Sequence, residues 1–368
     1  MKKLIKLMSP DLGEEEINSF RKVLNSHHLT DGPVTRLFEK KFAKYIKIKF
    51  AVATTSGTSA LELALRILKI RRGDEIILPS FTHPATGNCI LLVGAKPIFV
   101  DIDLKTLNID PELINNAISK KTRAIITVSQ FGNPINYKPL LKFKKKHSLF
   151  LVEDAACSTG SKIGNMHAGS QADISCFSFH PRKIITTGEG GMLVTNKKSL
   201  YEEANKIKNF GLVRRNNNLI QESWGTNLKL TDIQSAIGII QLNKIEKIIQ
   251  TRIKKAKIYH DLFSSTQDII KPSTQEKTRH TYQTYCILIK RKNQRDKLMS
   301  HLKKFNIESR IGSYALHLQP AFSQFSGEDL KNSRFAYENG IAIPLHGKLS
   351  QNEQQYIVNK IKNFLNTN

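Results

Sequence analysis

Lys183 lies in Ser178-Phe179-His180-Pro181-Arg182-Lys183-Ile184-Ile185-Thr186-Thr187-Gly188-Glu189-Gly190-Gly191, between two short apolar runs. A lysine amine held without its extra proton attacks aldehydes and forms an imine. Upstream, the apolar run Leu149-Phe150-Leu151-Val152 ends in Glu153-Asp154-Ala155-Ala156. A carboxylate at a strand end can keep a heterocyclic nitrogen protonated. A third segment, Thr54-Thr55-Ser56-Gly57-Thr58-Ser59-Ala60, follows a strand-like run and opens a helical pattern. Its small residues allow close approach of the backbone, and a helix N-terminus offers free N–H groups to a phosphate.

Each segment also has a plain reading. Ser56 or Thr58 is then an ordinary N-cap, Asp154 a core-edge carboxylate or helix cap, and Lys183 a surface lysine beside a Gly-rich hairpin. Singly, the plain readings prevail. In order, the segments give a phosphate turn, an acid after a later strand, then a serine and a lysine after the next. Pyridoxal phosphate requires that set: a lysine for its aldehyde, an acid for its ring nitrogen and a cradle for its phosphate. The turn is not a Walker loop, because no Gly-Lys-Ser/Thr closes it.

Apolar runs of strand length recur at Phe50–Ala53, Glu75–Leu78, Pro97–Val100, Ala124–Val128, Leu149–Val152, Ile174–Phe177 and Met192–Val194. Several are apolar throughout, as strands buried on both faces of a mostly parallel sheet are. Helical patterns separate them at Ser59–Lys69, Pro111–Ser119 and Pro139–His147. The alternation predicts an α/β domain with right-handed crossovers. Thr231-Asp232-Ile233-Gln234 starts a further pattern that runs to about Phe263 as one helix or two. A smaller α+β unit follows, with strand-like Tyr285–Ile289 and Ile341–Leu345, helical Gln294–Phe305 and Gln351–Leu365, and a loop-rich stretch from Ile311 to Phe322. No repeat or low-complexity segment is present.

With 368 residues, 40% of them hydrophobic, the chain can bury one large core and one smaller. Cys89, Cys157, Cys176 and Cys286 are scattered without zinc or disulfide spacing, which points to a reducing cytoplasm and no metal. Lys6 interrupts the leader-like start Met1–Met8, and acidic residues follow, so no secretion signal is read. No apolar run has membrane-spanning length. The formal charge of +26 suits a polyanion surface. The lysines, however, fall on helix-like stretches such as Lys142–Lys146 without interleaved aromatics, so solvated faces are the better reading and no nucleic-acid partner is expected.

The chain resembles the DegT-type pyridoxal-phosphate-dependent sugar aminotransferases, of aminotransferase fold type I. The resemblance starts at Ser9–Glu16 and Leu29-Thr30-Asp31-Gly32-Pro33. It continues through Ser56-Gly57-Thr58, Pro79-Ser80-Phe81-Thr82, Gly94–Pro97, Asp101-Ile102-Asp103, Phe131-Gly132-Asn133-Pro134, Glu153–Ala156 and the Lys183 segment. Late markers are Asn227, Thr231–Gln234, Gln241-Leu242 and His317-Leu318-Gln319-Pro320.

The resemblance implies a large α/β cofactor domain with a mostly parallel seven-stranded sheet between helices over 1–250, and a smaller C-terminal α+β domain over 251–368, with residues 1–15 packed on the latter. It implies that Lys183 bonds the cofactor aldehyde and Asp154 pairs with the pyridine nitrogen. Gly57, Thr58 and Ser178 match positions that hold the phosphate. Asn227 matches an asparagine that reaches the phosphate from a neighbouring subunit, which calls for a homodimer with shared active sites. Thr30 and His317 match segments lining a sugar-nucleotide cleft. Two positions depart from the family pattern. His83 stands where Phe or Trp usually stacks on the ring, and Cys157 where glutamine often approaches the ring hydroxyl.

The activity implied is cytoplasmic transamination of a nucleotide-linked keto-sugar with glutamate as donor, in amino-sugar or surface-polysaccharide biosynthesis. Two alternatives are a sugar dehydratase of the same fold, in which histidine replaces the lysine, and a non-catalytic regulatory or binding protein on this scaffold. The presence of Lys183 argues against the first, and the retained Lys183, Asp154 and Ser178 argue against the second.

Overall fold

The computed structural model describes residues 3–216, 218–327 and 329–367; Met1 and Lys2 of the leader-like start lie outside them. Counting the strands of the two main sheets in chain order, the central sheet contains β1 (Phe50–Thr54), β2 (Glu75–Pro79), β3 (Lys96–Val100), β4 (Thr122–Val128), β5 (Phe150–Asp154), β6 (Ile174–Ser178) and β7 (Gly191–Thr195). Their spatial order is β1-β7-β6-β5-β4-β2-β3. Every neighbouring pair is parallel except the two that β7 makes, with β1 and with β6. All seven predicted apolar runs are therefore strands of one sheet.

Successive side chains of a strand point to opposite faces, and here both faces are covered. Ile76 and Leu78 join Val52, Ile126, Val152 and Leu193 beneath α3 (Gly57–Ile67). Ile77, between them, joins Ile125, Leu151, Ile114 and Leu140 on the other side, under α5 (Pro111–Ala117) and α6 (Tyr137–His147). Ala51, Ala53, Met192 and Val194 pack with Phe38 and Phe42 of α2 (Pro33–Ile46). That double cover explains why the runs carry no polar alternation.

The second sheet is four-stranded and antiparallel, in the order β8 (Ile269–Ile270), β9 (Tyr285–Ile289), β11 (Gly340–Ile343), β10 (Arg310–Ile311). It packs on α9 (Arg295–Lys304) and α11 (Gln351–Thr367). Ile5 enters the same core and bridges to Ile307, while the Leu345 N–H donates to the Leu7 carbonyl at 3.2 Å.

One helix, α8 (Asp232–Leu262, 31 residues), serves both cores. Leu242, Ile245 and Ile249 pack on the central sheet; Ala256 and Tyr259 pack on the smaller one. Its start is a capping box, in which the Gln234 N–H donates to Thr231 Oγ1 at 3.1 Å and the Thr231 N–H to Gln234 Oε1 at 3.3 Å. Nothing breaks the helix at residue 250.

Candidate active site

Strands β1, β2, β4, β5 and β6 run in one direction, so their carboxyl ends share an edge of the sheet. Ligands of open α/β sheets bind at that edge. A cavity of about 420 Å³ opens there, between the central sheet and the smaller one. Gly57, Thr58, His83, Asp154, Cys157, Ser178 and Lys183 all line it. These seven residues come from four separate stretches of the chain.

Asp154 is the last residue of β5, two residues further than the apolar run indicated, because Val128 of β4 and Cys176 of β6 continue the ladder on either side. It is 5% exposed. The Thr86 hydroxyl donates to Oδ2 at 2.7 Å and the Ala156 N–H to Oδ1 at 3.1 Å. These bonds fix the plane of the carboxylate and leave it lone pairs for a donor in the cavity. Thr86 is fully buried on α4 (Pro84–Leu92). Sequence reasoning missed it, since nothing in the run Pro84-Ala85-Thr86 points toward a residue 68 positions later.

Ser178 ends β6 and leads into the lysine turn. The Lys183 N–H donates to the His180 carbonyl at 2.8 Å, and the Arg182 N–H to His180 Nδ1 at 3.2 Å. Lys183 Nζ donates to Cys157 Sγ at 3.3 Å. Cys157 is a partly exposed free thiol; the other three cysteines are buried. The thiol is therefore the lysine's nearest partner here, on the cavity wall.

The turn before α3 forms the third wall. Ser56 is the N-cap, and its Oγ accepts from the Ser59 N–H at 3.0 Å. Gly57 and Thr58 are the first two helical residues, so their N–H groups have no acceptor within the helix. A Cβ on Gly57 would sit 2.8 Å from Ser178 Cβ, and one on Gly191 would strike the Ser56 carbonyl. The backbone thus lies directly against Ser178, with a hydroxyl and free amides facing the same space. A phosphate fits that cradle.

His83 caps α4, with Nδ1 accepting from the Ala85 N–H at 3.2 Å. Burial holds its pKa below the usual histidine value, the Lys183 charge adds to this, and Asp154 opposes it. The imidazole is neutral at neutral pH. At the mouth stand His180, Arg182 and Arg310, with Glu189 among them at 3.8 Å from His180. Burial, then the Arg182 charge, lowers the pKa of His180.

Three sequence-predicted residues are not among those lining this cavity. Thr30 is exposed and bridges to Thr231. Asn227 is exposed, and its Oδ1 accepts from the Lys229 N–H at 3.4 Å. His317 is 6% exposed, with Nδ1 sharing a hydrogen with Ser80 Oγ at 2.6 Å. Gln283, Arg310 and Tyr314 line the cavity without having been anticipated. They come from the smaller unit, far along the chain, and no local motif marks them. Among the described residues no cluster of His, Cys, Asp or Glu has metal-site geometry, and no helix is long and apolar enough to cross a membrane.

Known proteins share this architecture end to end. The GDP-perosamine synthase of Escherichia coli O157:H7 is 35% identical over 370 residues, covering 98% of this chain and 99% of that one. The solved structure of Helicobacter pylori PseC, an aminotransferase involved in the biosynthesis of pseudoaminic acid, superposes with a TM-score of 0.95 at 29% identity, covering 100% of both chains. Spr1654 of Streptococcus pneumoniae in its PLP-form gives a TM-score of 0.93 at 28% identity, covering 99% of each. The model of the DegT/DnrJ/EryC1/StrS aminotransferase family matches residues 10–362, and the chain is an aminotransferase belonging to that family.

Proposed function

We propose that this enzyme uses pyridoxal 5'-phosphate to transfer an amino group from glutamate to a nucleotide-linked keto-sugar, in the cytoplasmic biosynthesis of an amino sugar for a surface polysaccharide. The observation that carries the reading is the placement of Lys183 and Asp154 on one cavity together with the Gly57–Thr58–Ser178 cradle. The relatives named for perosamine and pseudoaminic acid supply the sugar class.

Bound pyridoxal phosphate would supply an aldehyde for reversible bonding to amines and a protonated ring that takes up carbanion charge. The residues of this chain do the rest. The amides of Gly57 and Thr58 and the Ser178 hydroxyl hold the phosphate. The Asp154 carboxylate, fixed by Thr86, accepts the ring N–H as a charge-assisted bond and keeps that nitrogen protonated. His83 would form one side of the space for the ring. The Lys183 amine would hold the cofactor through its aldehyde and, when free, would act as base and acid, taking a proton from the donor Cα and giving it back. Arg182 and Arg310 at the mouth attract the carboxylates of the donor and the diphosphate of the acceptor.

Exposed Asn227 is read as reaching the site of a second copy, in a homodimer with shared active sites, and Thr30 as part of a segment lining the sugar-nucleotide cleft. Exposed apolar residues support the homodimer reading: Leu219 (60% exposed) and Ile220 (46%) on the strand Asn218–Gln221, and Trp224 (62%) beyond it. The large unit is taken to end near residue 250, within α8.

The test loads the enzyme with the aminated cofactor and follows the return of the aldehyde absorbance across a panel of keto-sugar nucleotides. At least one should restore it. Lys183→Ala should abolish turnover and the cofactor bond that borohydride fixes. Native-rate transamination by Lys183→Ala would refute the assignment.

A further inference from the structure

The segment Thr281–Thr284 of the smaller unit is gripped from both sides. Behind it, Arg252 of α8 is 3% exposed and has no acidic partner among the described residues. Its guanidinium instead donates to the Tyr282 carbonyl at 3.0 Å (Nε) and the Gln283 carbonyl at 2.5 Å (Nη2). Nη2 also reaches Met8 Sδ at 3.7 Å; a buried cation held by two carbonyls and a thioether, with no carboxylate, is an expensive way to hold a strand entry, and it holds two successive peptides. In front, the segment docks on the large unit. The Thr281 N–H donates to the Gly132 carbonyl at 3.2 Å, and Thr281 Oγ1 meets Ser161 Oγ at 3.0 Å.

Gln283 makes the third contact. It is 5% exposed, and its Nε2 donates to the Arg182 carbonyl at 2.6 Å. Its Oε1 accepts from the Thr284 hydroxyl at 3.0 Å, which sets the orientation of the amide. The Arg182 carbonyl belongs to the peptide whose nitrogen is that of Lys183. Among the described residues, the local bonds of the turn run through His180. Gln283 thus links the smaller unit to the backbone that carries the lysine.

We propose that Gln283 is a positioning residue for Lys183: its amide fixes the Arg182–Lys183 peptide, and with it the direction from which the amine enters the cavity. Deletion of one such bond is worth ~0.5–1.5 kcal/mol, or about 2- to 10-fold in a rate or affinity. The inference rests on the reading of Lys183 as the residue that bonds the cofactor aldehyde.

Two forms of the cofactor separate positioning from damage. Pyridoxal phosphate bonds to the lysine; pyridoxamine phosphate, which has no aldehyde, uses only the phosphate cradle and Asp154. Apoenzyme of wild type, Gln283→Met and Thr284→Val would be mixed with each form. Absorbance reports the rate of lysine bonding, and fluorescence titration gives the Kd. Expected are about 2- to 10-fold slower bonding of the aldehyde form by Gln283→Met, a smaller slowing by Thr284→Val, and an unchanged Kd for the amine form. Equal weakening of both forms, or no change in either, would overturn the proposal. Failure of the underlying reading looks different: wild type itself would then yield no borohydride-fixed cofactor.

Discussion

The Thr86 hydroxyl donates to Asp154 Oδ2 at 2.7 Å, joining two residues buried on different elements of the large unit. Because the acceptor is a carboxylate, the bond is of the stronger class, ~1.5–3 kcal/mol. Thr86→Val keeps the shape and deletes the donor. The carboxylate then turns freely, and the affinity for pyridoxal phosphate should fall about tenfold or more, measured by absorbance titration of apoenzyme. An unchanged affinity would show that Asp154 needs no such brace.

Gly57→Ala tests the cradle. The new methyl would lie 2.8 Å from Ser178 Cβ, with the Phe177 carbonyl at 3.3 Å. Overpacking of this kind costs ~1–3 kcal/mol. The variant should lose cofactor affinity through its phosphate, so that inorganic phosphate competes less well for the apoenzyme. A control at Gly13, where nothing lies within 4 Å of the added Cβ, should bind normally.

Acid should destabilise the fold through buried histidines. Burial lowers the His280 pKa to about 3 and the His167 pKa to about 4. Both are neutral when folded and take up protons at about 6.5 when unfolded. The unfolded state therefore binds more protons below pH 6.5, and stability falls as the pH drops. The slope is ~1.4 kcal/mol per pH unit for each fully shifted group. His280 stacks on Tyr282 at 4.1 Å, and its Nδ1 accepts from the Tyr282 N–H at 2.9 Å. His280→Gln retains an acceptor and should remove about one such slope between pH 6 and 4, read from urea midpoints across pH. An identical slope in the variant would mean that His280 is not the group responsible.

Asp232 ties α8 to the start of α2. It is fully buried, and it accepts from the N–H groups of Gly32 (2.8 Å), Val34 (3.2 Å) and Thr35 (3.1 Å) and from the Thr35 hydroxyl (2.5 Å). Asp232→Ala leaves those donors bare. It should cost ~3 kcal/mol or more, visible as a lower urea midpoint. It should also loosen the Leu29–Pro33 segment, which is proposed to line the sugar-nucleotide cleft, so KM for the proposed sugar-nucleotide substrate should rise more than kcat falls.

The sheet was legible because burial on both faces leaves its mark in the chain itself: Ile76-Ile77-Leu78 reads as a strand without any partner in view. The strand ends were less so. Glu153 and Asp154 belong to β5 through their neighbours Val128 and Cys176, and no residue near them announces this. The helices α1 (Glu14–Ser26), α2 and α7 (Lys198–Ile207) were not read as helices, although Phe38, Phe42 and Ile46 of α2 form a buried apolar face. For the site, the motif-bearing residues Gly57, Asp154, Ser178 and Lys183 meet on one cavity. Thr86 and Gln283 had no such signal, because their meaning lies wholly in contacts made 68 and 101 positions away.

The placement of β1 has a consequence for how the enzyme is made. Its sole neighbour in the sheet is β7, paired from Phe50↔Thr195 to Thr54↔Gly191. A nascent chain emerging from the ribosome carries β1 as an unmatched apolar ribbon until residues 191–195 are synthesised. Such delayed, non-local pairing is slow and exposes an edge to misassociation. The amides that follow β1 gain their serine companion from β6 only in that same late step. A phosphate-bearing ligand that needs those amides together with Ser178 would find no complete cradle before that pairing, and could not template the steps that precede it.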